Sequence, residues 1–439
     1  MSDRALLVAL HRAALDEVHA GRALARALAE DDPGPGPFAL LAVGKAATAM
    51  AEAARSALGT RIARGQVTTK NGHAREIPGF DVREAGHPVP DARSEAAGRD
   101  ALALASELGD DETLLVLISG GASALWCAPA PGLALADKRA ATECLLRASV
   151  VIPEQNAVRK HLSSLKGGGL LRAARGRRVR VYALSDVPGD ALSDIGSGPA
   201  SPDPTRFSDA LAVVRAYRLE AALPKPVLAQ LARGVAGELE ETVKPSDPRT
   251  VHCAGRVIAS LDAALAAAVR AGQERSLRVR SLGRALDADV AELAPRLARE
   301  IVRARADGFD LLVAGGEPTV RVRGAGRGGR AQELAVRLSL ELGGVRGWSA
   351  LCAGTDGSDG PTDAAGAFAD ADLPTRAGAR GFEPSASLST SDVHPLLAAS
   401  GDLFQTGPTE TNVADLLLVC LRRASVRGTI ADACEAGSG

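Results

Sequence analysis

The first stretch whose residue types suggest chemistry is an apolar run that opens into glycines and small hydroxyl residues. Leu115 to Ile118 leads directly into Ser119, Gly120 and Gly121, and Ser123 follows at the start of a helical pattern. Glycine lets an anion approach the main chain closely, and backbone N–H groups at such a turn can face phosphate oxygens. A tight strand-to-helix turn would use the same residues, so this stretch alone predicts either an anion site or a turn.

Lysine is the second signal, because the chain relies mainly on arginine for positive charge. Lys45 follows a glycine where an apolar run gives way to a helical pattern. Lys166 precedes Gly167 and Gly168 at the end of a helical pattern that begins at Asn156. Both positions are candidates for anion binding, with a solvated helix surface as the alternative. A Walker A motif is excluded, since its glycine spacing and its hydroxyl residue are missing.

Carboxylates form the third group. Asp186 and Asp190 follow one apolar run, and Asp356, Asp359 and Asp363 follow another. Carboxylates at strand ends can hold Mg²⁺ or contact a substrate hydroxyl, whereas aspartate in a turn often bonds only to its own backbone. The spacing of an EF-hand and the ligands of a zinc site are both missing. Loosely held magnesium and simple turns remain the two interpretations.

Gly324 to Gly329 matches the pattern GxGxxG and precedes a helical pattern. The preceding Val320 to Arg323 alternates polar and apolar residues, whereas a dinucleotide fingerprint requires a fully apolar strand. An NAD(P)H-dependent reductase is therefore the disfavoured enzyme class. Hydrolysis by a serine triad has little support, because the histidines are scattered and no GxSxG elbow is present.

The composition limits the remaining classes. The chain has 439 residues with a formal net charge of −1, and acidic and basic residues are interspersed, which argues against nucleic-acid partners. No apolar run is long enough to span a membrane, and the first thirty residues lack a signal-peptide pattern, so we expect a cytoplasmic protein. The six cysteines have no CxxC spacing and are expected to be reduced structural thiols.

The elements that must position these residues alternate between strand and helix. Such alternation predicts an α/β fold with mostly parallel or mixed sheets flanked by helices, and the chain length predicts two domains. A proline-containing segment with little strand pattern places the boundary near residue 235, giving domains 1–235 and 236–439. Six short apolar runs are predicted to be buried strands: Phe38–Val43, Thr113–Ile118, Val179–Leu184, Thr250–Cys253, Phe309–Ala314 and Ser349–Cys352.

In collinear order over nearly the whole chain, these stretches resemble the glycerate 2-kinase family, in which a Rossmann-like glycerate kinase domain precedes a MOFRL-containing domain. Some relatives in that family carry the older label hydroxypyruvate reductase. The matching residues lie in these segments: Ala42–Ala47, Gly86–Asp91, Ser119–Gly121, Asn156–Gly168, Ser185–Asp190, Gly315–Glu317, Gly328–Arg330, Thr355–Gly366 and Thr406–Thr409.

The resemblance implies ATP-dependent, magnesium-assisted phosphorylation of D-glycerate at its 2-hydroxyl, in a cleft between the two domains. By motif, Lys45, Asp186 and Arg330 match the family's proposed active-site residues, and Asp190, Asp356 and Asp359 are the candidate metal ligands. We expect the partners to be a small hydroxy acid and a nucleotide, with the protein a monomer or homodimer. The candidate nucleotide-binding residues are Ser119, Gly120, Gly121, Ser123, Lys166, Gly167, Gly168, Gly315, Gly316 and Glu317.

Three places depart from the family pattern. Ala331 stands where asparagine is common, Glu410 stands where glycine is usual, and residues 391–394 replace an Asn-Asp-Ser-Tyr-like segment. Losing an amide and adding a carboxylate near anionic ligands predicts an altered substrate preference. Besides the kinase, two alternatives remain: an NAD(P)H-dependent hydroxypyruvate reductase, and a degenerate paralogue that binds nucleotide or metabolite without turnover.

Overall fold

Two six-stranded sheets organise the chain in a computed structural model that describes residues 2–421. The chain forms two compact units. One, the parallel-sheet unit, comprises residues 15–264 and 408–414, and the other, the mixed-sheet unit, comprises the other described residues, 2–14, 265–407 and 415–421. Within residues 2–421, none of the helices combines the length and apolar character that crossing a bilayer requires.

The first half of the chain alternates strands with helices, as the sequence predicts. Its strands are β1 (Phe38–Val43), β2 (Ile62–Lys70), β3 (Phe80–Ala85), β4 (Thr113–Ile118), β5 (Arg178–Ser185) and β6 (Cys253–Ser260). Its helices are α1 (Asp3–Val18), α2 (Ala20–Glu30), α3 (Ala47–Leu58), α4 (Ala92–Ser106), α5 (Ala122–Leu125), α6 (Leu135–Arg147), α7 (Ile152–His161), α8 (Gly169–Ala173), α9 (Phe207–Ala216) and α10 (Lys225–Val235).

These six strands pair in parallel in the order β3-β2-β1-β4-β5-β6. Every residue of β1 and β4 is buried, which explains their continuous apolar sequences. Helix α4 begins with a capping box, in which Asp91 accepts the Ser94 N–H and the Ser94 hydroxyl accepts the Asp91 N–H. Strand β6 lies beyond residue 235, so this compact unit extends past the predicted boundary.

The second half builds a sheet in the order β11-β10-β9-β12-β8-β7, in which only β7 and β8 are parallel neighbours. Its core packs α12 and α13 against the apolar sides of β8, β9 and β12. The remaining elements, in chain order, are α11 (Leu261–Gln273), β7 (Val279–Leu286), α12 (Val290–Ala306), β8 (Leu311–Gly316), α13 (Arg330–Glu341), β9 (Trp348–Gly354), β10 (Gly366–Asp370), α14 (Leu373–Gly378), α15 (Pro384–Ser389), α16 (Val393–Ser400), β11 (Leu403–Phe404) and β12 (Asp415–Leu421).

One of the predicted strands needs correction, and one alternating run also forms no strand. The run predicted as Thr250–Cys253 forms a strand only from Cys253 onward, because Pro248–Thr250 is a short 3₁₀ helix. Val320–Arg323 forms no strand, since β8 already ends at Gly316. Five of the six cysteines are free thiols, as expected, and Cys434 lies outside the described residues.

Candidate functional site

The strand order of the parallel sheet reverses direction between β1 and β4. In open α/β sheets, ligands bind outside the carboxyl ends of the strands at such a switch point. Lys45 follows β1, while Ser119 and Gly120 follow β4. The fold therefore brings two of the segments singled out in the sequence to the position where a ligand is expected.

The turn after β1 is fastened to the turn after β4. Gly44 has a φ of 126°, and a Cβ there would lie 2.1 Å from Ser119 Oγ, so only glycine fits. The Lys45 N–H donates to the Gly120 carbonyl at 2.9 Å, and the Ala46 N–H donates to Ser119 Oγ at 3.1 Å. Ser119 is fully buried. Its hydroxyl thus positions Lys45, and its predicted contact with nucleotide stays a prediction.

Gly120 is the point where Asp186 meets the turn after β4. The Asn412 side-chain nitrogen donates to Asp186 Oδ2 at 3.2 Å. A Cβ on Gly120 would lie 1.7 Å from that nitrogen and 2.4 Å from that oxygen. The absence of a side chain at this position is what admits the Asp186 carboxylate. The sequence analysis missed Asn412, whose one signal was its place soon after the segment ending at Thr409.

His87 borders the same turn. A Cβ on Gly121, whose φ is 87°, would lie 3.0 Å from His87 Nε2 and 3.4 Å from Lys45 Cγ. The turn after β4 is therefore surrounded by the side chains of Lys45, His87, Asp186 and Asn412. His87 had no predicted role, although it lies in one of the segments that carry the family resemblance.

Lys166 and Ser123 also come together, with two cations that the sequence analysis did not assign to the site. Lys166 Nζ donates to the Ser123 carbonyl at 2.9 Å and to Ser123 Oγ at 2.8 Å. Arg159 Nη2 donates to the same hydroxyl at 2.6 Å. Burial, then the charges of Arg159 and Lys138, hold the pKa of Lys166 well below its usual value. Burial likewise lowers the pKa of Lys138 to about 8.

Gly167 and Gly168 have positive φ values, which place Lys166 at a sharp turn. The Gly167 N–H donates to the Ser197 carbonyl at 3.1 Å, and the Gly168 N–H donates to the Gly198 carbonyl at 2.8 Å. Because these amides bond within the protein, the structure gives both glycines a packing role. Nucleotide binding by them stays a prediction.

A cavity of about 130 Å³ lies beside Lys45, and its lining includes Arg75 and Glu410. Glu410 has a φ of 58°, a conformation that suits glycine and explains why glycine is usual at this position. Arg75 forms a salt bridge with Glu410, and its Nη2 also lies 2.9 Å from a carboxylate oxygen of Glu52. The charge that Glu410 adds is thus balanced locally. A larger cavity of about 390 Å³ has none of the predicted site residues in its lining.

Arg330, the first residue of α13, belongs to the mixed-sheet unit. Its Nε donates to Asp415 Oδ2 at 2.8 Å, its Nη2 donates to Asp415 Oδ1 at 3.1 Å, and its Nη1 donates to Glu317 Oε1 at 3.0 Å. Burial opposes the charge of Arg330, but the attraction of Asp415 and Glu317 outweighs burial and raises its pKa. Burial also raises the pKa of Asp415, despite the opposing pull of Arg330. The guanidinium is therefore held in one orientation.

The candidate metal ligands Asp359 and Asp356 already accept backbone hydrogen bonds. Asp359 accepts the N–H groups of Ala331 at 3.1 Å and Gln332 at 2.8 Å, which is the geometry of a helix cap and not of an open metal ligand. Burial, then the charge of Asp415, raises the pKa of Asp359 to about 6. Asp356 accepts the Ser358 N–H at 3.0 Å, forming the predicted turn. Throughout residues 2–421, no group of three or more His, Cys, Asp or Glu side chains is arranged to hold a metal ion.

The other predicted residues are placed as follows. Asp190 ends the 3₁₀ helix Pro188–Asp190 after β5 and has a φ of 54°. Gly315 and Gly316 are the last residues of β8, where they pair with Leu416 and Asp415. A Cβ on Gly316 would lie 2.3 Å from the Leu286 carbonyl oxygen. These two glycines therefore belong to the sheet, while Glu317 holds Arg330.

The segment Gly324–Gly329 packs against the chain that precedes α16. The Arg327 N–H donates to Asp392 Oδ1 at 2.8 Å, and a Cβ on Gly326 would lie 2.5 Å from the Thr390 carbonyl oxygen. The glycines thus permit a close contact within the mixed-sheet unit. The formal match to a dinucleotide-binding motif has a packing explanation.

Comparisons with known proteins agree over most of the chain. A family model described as a domain of unknown function (DUF4147) matches residues 6–232, and the MOFRL family model matches residues 310–415. D-glycerate 2-kinase of Thermotoga maritima is 38% identical over 86% of this chain and 89% of its own. A relative from Agrobacterium vitis, provisionally named a hydroxypyruvate reductase, is 38% identical over 88% of this chain and 87% of its own. The crystal structure of T. maritima glycerate kinase superposes with a TM-score of 0.81 at 35% identity, covering 95% of this chain and 99% of that one.

Proposed function

We propose that this chain, which belongs to the glycerate 2-kinase family, transfers the γ-phosphoryl group of ATP to the 2-hydroxyl of D-glycerate. The products are 2-phosphoglycerate and ADP. The observation that carries the proposal is the meeting of Lys45 and Asp186 around Gly120–Gly121 at the switch point of the parallel sheet. A carboxylate and a cation beside a glycine turn are the groups that phosphoryl transfer needs.

In the proposed reaction, Asp186 accepts the proton of the 2-hydroxyl as that oxygen forms a bond to the γ-phosphorus. The bond between the γ-phosphorus and the β–γ bridging oxygen breaks, and ADP leaves with the electron pair. Asn412 donates to Asp186 Oδ2, which holds the carboxylate in place. Lys45 offsets negative charge on the oxygens of the transferred group.

Arg330 is proposed to neutralise phosphate charge, as the family resemblance implies. Its bidentate contact with Asp415 fixes the guanidinium before any ligand binds, so little reorganisation is needed. The nucleotide is proposed to lie against the residues named from the family motifs: Ser119, Gly120, Gly121, Ser123, Lys166, Gly167, Gly168, Gly315, Gly316 and Glu317. The proposed setting is the cytoplasm, with the protein a monomer or homodimer.

Mg²⁺ is the metal implied by the family, and the donor chemistry allows it. Mg²⁺ commonly uses one or two carboxylates together with substrate phosphates instead of a complete protein cage. Asp190 and Asp356 could each supply such a carboxylate, whereas both oxygens of Asp359 cap a helix. When bound, the ion would neutralise charge on the nucleotide phosphates.

The reductase alternative has a specific weakness. The strand order of the parallel sheet also occurs in dinucleotide-binding proteins, in which a GxGxxG pattern follows the first strand. In this chain the turn after β1 contains one glycine, Gly44, before Lys45 and lacks that pattern. The GxGxxG match elsewhere is explained by packing. No observation favours hydride transfer over phosphoryl transfer.

The test is an enolase-coupled assay with purified protein, ATP, Mg²⁺ and D-glycerate, because enolase consumes 2-phosphoglycerate and not 3-phosphoglycerate. We expect an ATP-dependent signal, and no oxidation of NADH or NADPH with hydroxypyruvate. A reductase signal without phosphoryl transfer would contradict the proposal. Nucleotide binding without either reaction would instead identify a non-catalytic paralogue.

A further inference from the structure

Two cations of the parallel-sheet unit share the Ser123 hydroxyl, and the charge of a third, from another helix, acts on them. They are Lys138 on α6, Arg159 on α7 and Lys166 in the segment between α7 and α8, and we call them the cation cluster. Arg159 and Lys166 share the Ser123 hydroxyl. The charges of Arg159 and Lys138 both act on Lys166, which places all three near one another. The sequence places Arg159 and Lys166 in one candidate anion-binding segment, but it gives no indication that Lys138 joins them.

Within the described residues the cation cluster has no carboxylate partner, although the Cys127 thiol acts to raise the pKa of all three cations. Among residues 2–421, no carboxylate oxygen lies within 4.0 Å of the charged nitrogens of Lys138, Arg159 or Lys166. The protein partners of Lys166 are oxygens of Ser123 and Gly196, and Lys138 Nζ is buried with no hydrogen-bond partner in this part of the chain.

Lys160, which follows Arg159 on the same helix, shows how this fold treats a buried structural lysine. It is 3% exposed, and its Nζ lies 3.2 Å from Asp203 and 3.7 Å from Asp194. A buried charge is normally paired in this way, because leaving it unpaired costs several kcal/mol. The lack of a carboxylate beside three neighbouring cations is therefore a feature that requires an explanation other than packing.

Part of the cation cluster is accessible to solvent. Lys138 and Lys166 are only 6% and 3% exposed, but Arg159 and Ser123 are half-buried. An anion could approach past Arg159 and Ser123 toward the two lysines. Ser123 lies two residues after Gly121, whose Cα region contacts both Lys45 and His87. The cluster is thus continuous with the candidate site.

We propose that Lys138, Arg159 and Lys166 bind the phosphate chain of the phosphoryl donor. A chain of several phosphates carries enough negative charge to balance three cations, whereas a hydroxy-acid carboxylate carries a single charge. The fork of Arg159 can bond to two phosphate oxygens at once, and the lysines act as point charges. The identification of the donor rests on the proposed kinase activity, but the existence of the polyphosphate site does not.

Binding measurements can test this without turnover. The probes are tripolyphosphate and a non-hydrolysable ATP analogue with Mg²⁺, measured by calorimetry on the full chain. The variants are Arg159→Gln and Lys138→Met, and the matched control is Arg147→Gln, which removes an exposed arginine paired with Glu143 on α6. We expect both cluster variants to weaken each probe at least 30-fold, and the control to change the dissociation constants less than twofold.

Two further readouts separate ligand binding from a structural role. Without ligand, Lys138→Met should unfold at the same temperature as wild type or at a higher one, because an unpaired buried charge is removed. With tripolyphosphate present, the variant should lose the stabilisation that this ligand gives to wild type. The KM for D-glycerate should change less than twofold in either variant. Unchanged affinity for tripolyphosphate, or a weakening confined to D-glycerate, would overturn the inference. Intact tripolyphosphate binding without formation of 2-phosphoglycerate would refute only the proposed function.

Discussion

Lys138 offers a prediction whose size follows from the structure. Burial is the main cause that lowers the pKa of Lys138 from 10.5 to about 8, while Cys127 opposes the shift and the nearby charge of Arg159 adds a smaller lowering. A lowering of this size means that the charged side chain costs the folded state about 3 kcal/mol near neutral pH. The cost should disappear when the methionine of Lys138→Met replaces it.

The sign of the pH dependence follows from proton binding. Between pH 8 and 10.5 the unfolded chain keeps the Lys138 proton while the folded chain releases it, so the stability of wild type rises with pH through this window. The stability advantage of Lys138→Met over wild type should therefore be largest below pH 8. It should shrink by about 2 kcal/mol between roughly pH 7 and pH 9.5.

The assay is urea unfolding followed by the fluorescence of Trp126, which is buried in the parallel-sheet unit. A Trp348→Phe background removes the signal of the other tryptophan, so that one unit is observed at a time. Lys225→Met, which removes an exposed lysine of the same unit, is the matched control and should show no such pH-dependent gap. An advantage that stays constant from pH 7 to 9.5, or a variant that is less stable throughout, would refute the reasoning.

Two other substitutions test the surroundings of Lys45 and Asp186. Gly120→Ala would place a Cβ 1.7 Å from the Asn412 side-chain nitrogen, so we expect kcat to fall at least 100-fold. The control Gly109→Ala, in an exposed loop, should leave kcat unchanged. Normal turnover in Gly120→Ala would contradict the role of the close contact. Arg75→Gln should raise the KM for D-glycerate about tenfold, because it leaves the Glu410 charge unbalanced in the cavity beside Lys45. Adding Glu410→Gln should return the KM to the wild-type value. Additive effects in that double-mutant cycle would show that the two charges act independently.

The sequence predicted the central strands of the parallel sheet closely. Phe38–Val43 and Thr113–Ile118 are buried on both faces and therefore read as continuous apolar runs. The sequence did not predict β2 or β7, because their arginines and glycines interrupt the apolar pattern. Both strands form through hydrogen-bonded pairing with neighbouring strands. Half-buried strands depend on tertiary pairing, which a single sequence does not display.

The candidate site shows the same division. The positions of Lys45 and Asp186 could be predicted because each follows an apolar strand and matches a family motif. The glycines of the Gly324–Gly329 segment could not be interpreted from their spacing, because their reason is the close contact with Thr390 and Asp392. The contribution of Lys138 was missed for a similar reason, since it becomes a neighbour of Arg159 and Lys166 only when α6 and α7 pack in the same unit.

The most direct test of the central claim is the enolase-coupled rate of Asp186→Asn beside wild type, with the affinity for ATP measured on both proteins. We expect wild type to form 2-phosphoglycerate and the variant to lose about 100-fold or more in kcat, because the proton acceptor is lost. The ATP affinities of the two proteins should agree within a factor of two. A variant that turns over as fast as wild type would contradict the assignment of Asp186 at the switch point of the parallel sheet.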